Sequence, residues 1–365
     1  MLKDEEMKVV ITGTRGIPGI MGGVETHCEE LCPRLVQLGA DITVVRRPAY
    51  AHDSLQEWKG VKLKDIPAPK KKALEAVVHT FRAVNFAARS HAEILHVHAA
   101  GPALLMPYAK LRGMRVVFTS HGPEYERDKW GRLARVVLRL GERMGVKYAD
   151  DLIVISQGIR DMIKRKYSRT KRVHLIPNGV PAPDFCDFPE YFAELGIKPG
   201  RYILGMSRFV PEKRLEDLVR ACQGLEGYRL VLAGDADFED EYSRRLKAEA
   251  RDAGAVLTGF VRGRKLHALL SHAACYVLPS SYEGLPIALL EAMCYGRKVV
   301  VSDIPANREV GLPENCYFCC GDTADLRSKL EAQLGDDRQP QYDMTRYDWD
   351  RIAGEVMKVY ERQDI

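Results

Sequence analysis

The sequence predicts an α/β protein of two parallel-sheet domains joined by a proline-broken linker and closed by a last helix. Three observations predict it. The chain has 365 residues, too many for one ordinary core and suited to two domains. Short buried-type runs such as Lys8–Thr12 and Val299–Val301 alternate with helix-type segments, the order of strands joined by crossover helices. At Pro177-Asn178-Gly179-Val180-Pro181-Ala182-Pro183 that alternation stops, because proline fixes φ and removes amide donors. The expected boundaries are 1–180, 181–345 and 346–365, with a linker running to about Pro199.

In the first domain, Lys8–Thr12 reads as a buried strand running into Gly13-Thr14-Arg15-Gly16-Ile17-Pro18-Gly19 and then Gly22-Gly23. Such glycines allow tight turns and close backbone approach to a ligand. A helix over Val24–Leu38 follows, stopped by Gly39 and kinked at Pro33. The glycine spacing is not GxGxxG, and no acid follows about 20 residues on, so a dinucleotide site is disfavoured. Asp41–Val45 is the second strand, Pro67–Lys72 a turn with a lysine run, and Ala73–Ser90 an amphipathic helix. Ile94–His98 is a strand with His96 and His98 on one face. No third ligand is suggested, which favours a packed strand-end pair over a metal pair. Val116–Ser120 is a strand with His121-Gly122-Pro123-Glu124 at its C-terminal end. Tyr125–Trp130 and a basic helix over Leu133–Tyr148 come next, then strands Ile153–Ser156 and Val173–Pro177.

In the second domain, Tyr202–Met206 is a strand and Leu215–Cys222 a helix. Between them, Arg208 and Lys213 stand where cations meet a diphosphate, with Arg214 expected to be exposed. Leu230–Ala233 leads to Gly234-Asp235, and Val256-Leu257 to Gly259-Phe260-Val261. Cys275–Leu278 is a buried strand, and Ser280-Ser281-Tyr282 a polar turn carrying Glu283. Pro286 is expected at the first helical position, where its missing N–H costs nothing. Leu289, Leu290, Ala292 and Met293 make an apolar helix closed by Gly296, and Val299–Val301 is the next strand. Glu283 thus lies at the C-terminal edge of a parallel sheet, where ligands bind beside helix N-termini. Glu291 follows about two helical turns later. Ser302-Asp303 through Glu309 closes this domain, and Asp348–Arg362 is a final amphipathic helix.

Composition narrows the class. The net charge of +5 weakly favours anionic ligands or surfaces and does not imply nucleic acid. No run of about 18 apolar residues is present, so no transmembrane helix is expected. The charged start MLKDEEMKVVITG is not that of a signal peptide. Nine scattered cysteines suit a reducing cytoplasm, and Cys316-x2-Cys319-Cys320 lacks the second pair a structural zinc needs.

The segment EGLPIALLE between a PSS strand end and a valine strand, with SRFVPEKR and IPNGV, resembles the signature of the family-4 retaining glycosyltransferases. TRGIPGIMGGVETHCEELCPRL, PKKKALEAVVHTF, HVHAAGPALL, HGPEYERDKWG and GVKYADDLIVIS resemble a bacterial polysaccharide-assembly branch that includes rhamnosyltransferases. The resemblance covers nearly the whole chain. It implies the GT-B fold, with two Rossmann-like domains facing each other across a deep cleft and the last helix crossing back to the first. The first domain would take a saccharide or lipid-linked acceptor and the second a nucleotide-sugar donor. Glu291 would accept from the ribose hydroxyls and Glu283 from the sugar. Arg208 and Lys213 would hold the diphosphate beside the amides of Ile287 and Ala288. Gly259, Phe260 and Val261 would meet the base through backbone groups. Gly22 and Gly23 would lie against diphosphate and acceptor, and His121 near donor sugar and acceptor. No Asp-x-Asp pair is placed to hold a metal on the diphosphate, so neither metal nor other cofactor is expected. The basic segments Lys70–Arg89 and Arg132–Lys147 add an expectation of peripheral contact with an anionic membrane, on its inner, cytoplasmic face. The competing readings are a nucleotide-sugar epimerase on the same scaffold and a non-catalytic nucleotide-sugar-binding protein.

Overall fold

The computed structural model describes residues 7–20, 22–51, 53–69, 72–123, 125, 131–236 and 238–363. Lys70, Lys71, Glu124 and residues 126–130, parts of segments named above, lie outside them. Two compact units emerge: Met1–Gly179 with Arg346–Ile365, and Val180–Thr345.

The first unit runs β1 (Met7–Thr12), α1 (Gly23–Gln37), β2 (Ala40–Arg46), β3 (Glu57–Trp58), β4 (Val61–Asp65), α2 (Lys72–Arg89) and β5 (Ile94–His98). It continues with α3 (Ala100–Ala103), α4 (Met106–Leu111), β6 (Arg115–Ser120), α5 (Arg132–Tyr148), β7 (Asp151–Val154), α6 (Gln157–Tyr167) and β8 (Val173–Leu175). Its sheet order is β3-β4-β2-β1-β5-β6-β7-β8. Every pairing is parallel except the β3–β4 hairpin. The order reverses between β1 and β5, the kind of switch point at which the loops after the two strands diverge. α1 runs through Pro33 without interruption. The strand expected at Ile153–Ser156 starts two residues earlier. Asp151 opens it because its carboxylate is buried and paired with Arg115, Arg172 and His174. Ser156 is instead the N-cap of α6, accepting from the Ile159 amide at 3.4 Å, the role serine's short hydroxyl suits best.

The second unit runs α7 (Pro189–Leu195), β9 (Tyr202–Met206), α8 (Leu215–Cys222), β10 (Arg229–Ala233), α9 (Glu241–Asp252), β11 (Val256–Gly259) and α10 (Arg264–His272). Then come β12 (Cys275–Leu278), α11 (Ile287–Cys294), β13 (Lys298–Ser302), α12 (Pro305–Arg308), β14 (Tyr317–Phe318) and α13 (Thr323–Gly335). All its pairings are parallel, in the order β11-β10-β9-β12-β13-β14. This is the doubly wound Rossmann order, and it reverses between β9 and β12. The expected linker is not without regular structure. Pro189–Leu195 is helical because Tyr191 and Phe192 bury one face of it and Gly196 closes it in the left-handed conformation.

The last helix, α14 (Trp349–Glu361), belongs to the first unit. Trp349, Ile352, Val356 and Tyr360 form its apolar stripe and share one core with Leu31 and Leu35 of α1. Asp348 caps its start, and the Arg115 guanidinium donates to the carbonyls of Val359 and Tyr360 at its end, where the helix dipole is negative. Gly179 is needed for this docking: a Cβ there would stand 2.5 Å from Cδ2 of Trp349.

Candidate active site

In the second unit the polar side chains gather at the β9/β12 reversal. After β9, residues Pro211–Lys213 form a single tight helical turn, and Arg214 enters α8 with φ 48°. After β12, Ser281 donates its amide to the Glu212 carbonyl at 2.9 Å. That bond ties the two loops together. The consequence is an ion pair: the Lys213 ammonium donates to Glu283 Oε1. Only 17% of the Lys213 side chain and 8% of the Glu283 side chain are exposed. Water therefore screens this pair little.

Glu291 lies on α11, half-buried. The phenol of Tyr276, buried in β12, is held well above its usual range, first by burial and then by the negative charges of Glu283 and Glu291. Pro286 is the N-cap residue of α11, one place before the expected first helical position. The first-turn amides of Ile287 and Ala288 therefore open this end of the helix. Arg208 is half-buried in the same loop as Lys213. Arg214 is not the exposed residue expected: its Nε holds Asp217 at 2.6 Å and its side chain is two-thirds covered. The left-handed backbone at Arg214 turns it back over its own helix.

Gly259, Phe260 and Val261 follow the edge strand β11. The Gly259 carbonyl accepts from the Gly234 amide and the Thr258 hydroxyl, each at 2.8 Å. The Phe260 ring is 44% exposed. Gly234 itself must be glycine, since a Cβ would stand 1.9 Å from the Ser207 carbonyl oxygen.

In the first unit the same edge carries the glycine loop and four imidazoles. A Cβ on Gly13 would stand 1.8 Å from the His98 carbonyl oxygen, so the loop after β1 crosses β5 in backbone contact. Glu25 clasps this loop, accepting from the Arg15 amide at 2.9 Å and the Thr14 hydroxyl at 3.3 Å. Gly22 is the N-cap of α1 at φ 147°, where a Cβ would meet Glu25 Oε2 at 2.1 Å. Gly23 has open space around its Cα. His27, one turn into α1, bonds Asn178 at 3.0 Å and meets the rings of His98 and His121 at centroid distances of 5.5 and 5.2 Å.

The hydrogen bonds order these rings. His96 lies between the Tyr360 and Thr119 hydroxyls, at 2.7 Å from each. His98 Nδ1 is 3.0 Å from His121 Nε2, and His98 Nε2 has no partner among the described residues. A buried N–H without an acceptor is the costlier of the two options, so His98 carries its proton on Nδ1 and donates it to His121. His121 is thereby held with its proton on Nδ1. Burial lowers His27 to about 4 against the opposing Asn178 hydrogen bond; burial, ahead of neighbouring imidazole charge, lowers His96 to about 3 and holds His98 well below its usual value. Those three imidazoles, His27, His96 and His98, are neutral at physiological pH. Among the described residues no three His, Cys, Asp or Glu side chains are arranged to hold a metal ion.

Sequence reasoning named Arg208, Lys213, Glu283 and Glu291 separately, and the fold places all four around one reversal. It missed His27, Glu25 and Tyr276, and it read His98 only as a packed ring. Gly-Gly-Val-Glu-Thr-His after the loop was the available signal, since i, i+3 and i+4 positions off a helix start face one side.

Residues 21–182 match the family model described as Glycosyltransferase Family 4, and residues 187–346 the model described as Glycosyl transferases group 1. An alpha-maltose-1-phosphate synthase of Mycolicibacterium smegmatis is 26% identical over 98% of this chain and 99% of its own. Among solved structures, sucrose-phosphate synthase from Thermosynechococcus elongatus superposes with TM-score 0.82 at 18% identity, covering 97% of this chain and 98% of its own. HepE of Anabaena, in complex with UDP and glucose, gives TM-score 0.80 at 16% identity over 98% and 100%.

Proposed function

This chain belongs to the glycosyltransferases of Family 4 and group 1, with the GT-B fold, and on that premise we propose how it works. It moves a sugar from a nucleoside-diphosphate donor to a saccharide or lipid-linked acceptor, retaining anomeric configuration and needing no metal ion. The observation that carries this reading is the Lys213–Glu283 pair at the β9/β12 reversal, with Glu291 on the helix that follows. One loop offers a cation for a leaving diphosphate, and the next offers carboxylates for hydroxyls.

The donor has three kinds of group to hold. A carboxylate presents two acceptor oxygens, which suits a diol; Glu291 takes the ribose and Glu283 the sugar. The diphosphate needs positive charge that strengthens as it departs; Arg208, Lys213 and the amides of Ile287 and Ala288 supply it. The base lies against Gly259, Phe260 and Val261, and the open Phe260 ring gives it an apolar face. In the first unit, Gly22, Gly23 and His121 meet the acceptor and the donor sugar. In the step itself the C1–O bond to diphosphate breaks with its electron pair going to the phosphate oxygen. The new C1–O bond forms on the same face, and the acceptor proton passes to the departing phosphate.

The similarity to an alpha-maltose-1-phosphate synthase, to a sucrose-phosphate synthase and to HepE in complex with UDP and glucose supports a nucleotide-sugar donor. Among the described residues no helix is long and apolar enough to cross a membrane. The test is transfer from a panel of nucleotide sugars after exhaustive chelation, with the product anomer read by NMR. Transfer with retained configuration is expected. Inversion, or activity restored only by magnesium or manganese, would overturn this mechanism. A new epimeric sugar from donor alone would mark an epimerase instead.

A further inference from the structure

Helix α5 of the first unit carries an apolar stripe on its outside. Leu133, Val136 and Leu140 are 78%, 59% and 45% exposed, and their spacing of three and four residues lines them up on one side. The opposite side is committed to the core through Leu138, Gly141, Gly145 and Val146. A Cβ on Gly141 would stand 2.0 Å from the Ala100 carbonyl oxygen, and one on Gly145 2.6 Å from the Phe118 ring. Two glycines thus press the helix backbone against its neighbours and fix its rotation, leaving the stripe facing outward.

Charge surrounds this stripe. From Arg132 to Arg172 the chain has twelve Lys and Arg against four Asp and Glu, a net of +8, whereas the whole chain is only +5. The rest of the protein is therefore net −3. Three of the four acids are already taken: Glu142 by Lys166 and Tyr167, Asp150 by Lys110, and Asp151 by Arg115 and Arg172. Arg139, Arg143, Lys147, Lys166 and Arg169 line an open depression of about 860 Å³ with Leu140 at its side. Cations at the ends of α5 and α6 match the helix dipoles, but that does not account for exposed leucine and valine between them.

We propose that this face of α5, with the C-terminal end of α6, docks on an anionic lipid bilayer. The stripe enters the boundary between headgroups and acyl chains, and the depression receives lipid phosphates. Apolar side chains ringed by arginine and lysine fit an interface that is oily below and negative above; a nucleic acid or an acidic protein surface would use the cations and leave the stripe idle. The stripe begins just after the His121 end of the sheet and runs toward the opposite end. Lying on a leaflet, it brings the His121 edge of this unit to headgroup level, where a lipid-linked acceptor presents its sugar. That last consequence rests on the acceptor reading above; the docking itself does not.

The experiment is co-sedimentation of the full chain with vesicles of phosphatidylcholine alone and of phosphatidylcholine mixed with phosphatidylglycerol, with heparin as a soluble polyanion. Two variants accompany it, Leu133→Ser/Val136→Ser/Leu140→Ser and Arg143→Gln/Lys147→Gln, each checked for an unchanged melting temperature. Each cation near an anionic surface contributes a factor of about 5 in partition, so the charge variant should bind mixed vesicles about 25-fold more weakly with a shallower salt dependence. The stripe variant should lose binding by about tenfold or more while holding heparin as before. Equal partition of the wild type onto both vesicle types, or wild-type affinity of both variants for mixed vesicles, overturns the proposal. So does a stripe variant that keeps full vesicle binding. Donor hydrolysis measured in the same samples keeps the two readings apart: lost docking with intact turnover leaves the transferase reading standing.

Discussion

Breaking the Lys213–Glu283 pair should separate stability, nucleotide affinity and turnover in a way that no simple loss of folding would. Both side chains are nearly enclosed, at 17% and 8% exposure. Lys213→Met leaves the Glu283 carboxylate buried without a counter-charge, which costs about 3 kcal/mol, the lower end for a broken buried pair. In a unit of this size that lowers Tm by about 6–12 °C. Glu283→Gln keeps one acceptor oxygen facing the ammonium and should cost only about 1–2 kcal/mol. The double variant should be more stable than the two losses added, by about 1–3 kcal/mol. Affinity should move in opposite directions. The ligand-free ammonium is held by Glu283, so a diphosphate must compete for it. Glu283→Gln removes the competitor, and free nucleoside diphosphate should bind as tightly as before or about 3–10-fold tighter, while kcat falls because the sugar has lost its acceptor. Lys213→Met should weaken nucleoside diphosphate binding about 10–100-fold, the worth of one charge-assisted hydrogen bond. Calorimetry with the nucleoside diphosphate that binds, beside kcat at saturating donor, reads both. If Glu283→Gln weakens nucleotide binding as much as Lys213→Met does, or turns over at the wild-type rate, the division of labour between the two side chains is wrong.

Two further outcomes follow from the first unit. Burial lowers His27 and His79 to about 4 and His96 to about 3, so between about pH 6.5 and 4 the unfolded chain binds protons that the folded one refuses. These histidines leave stability unchanged between about pH 7 and 8 and lower it as pH drops below 6.5, by up to about 1.4 kcal/mol per pH unit for each histidine; urea unfolding at pH 7.5 and 5 checks it, and equal midpoints would contradict it. Gly179→Ala should drive a methyl into the Trp349 indole and destabilise the packing of α14 by about 1–3 kcal/mol, read as a lower Tm; an unchanged Tm would mean that α14 shifts freely on its bed.

The strands were legible where apolar residues run unbroken between turn signals, as in Cys275–Leu278, which the structure keeps residue for residue. So was the edge carrying Glu283, because a polar turn followed by proline and an apolar helix leaves little else to build. The β7 start was hidden by Asp151, a buried acid that partners distant in sequence, Arg115, Arg172 and His174, make tolerable. α7 was hidden in a proline-rich stretch that alone reads as a linker, since burial of Tyr191 and Phe192 is a tertiary fact. α13 went unread because charged residues are spread around it and blur the apolar period; α9 and α10 were also left unread. The pairings within the candidate site were the least legible. Lys213 and Glu283 lie 70 residues apart, and His27 and Asn178 151 apart. Each residue could be nominated by its own motif, but the contact between them depends on strand order.

The most direct test of the donor assignment is calorimetric titration of the full wild-type chain and Glu291→Gln with UDP, ADP, GDP and dTDP. The account predicts that at least one nucleoside diphosphate binds the wild type, and that Glu291→Gln weakens that binding about 10- to 100-fold with an unchanged Tm. Wild-type affinity in the variant would contradict it and leave Glu291 a structural residue of α11.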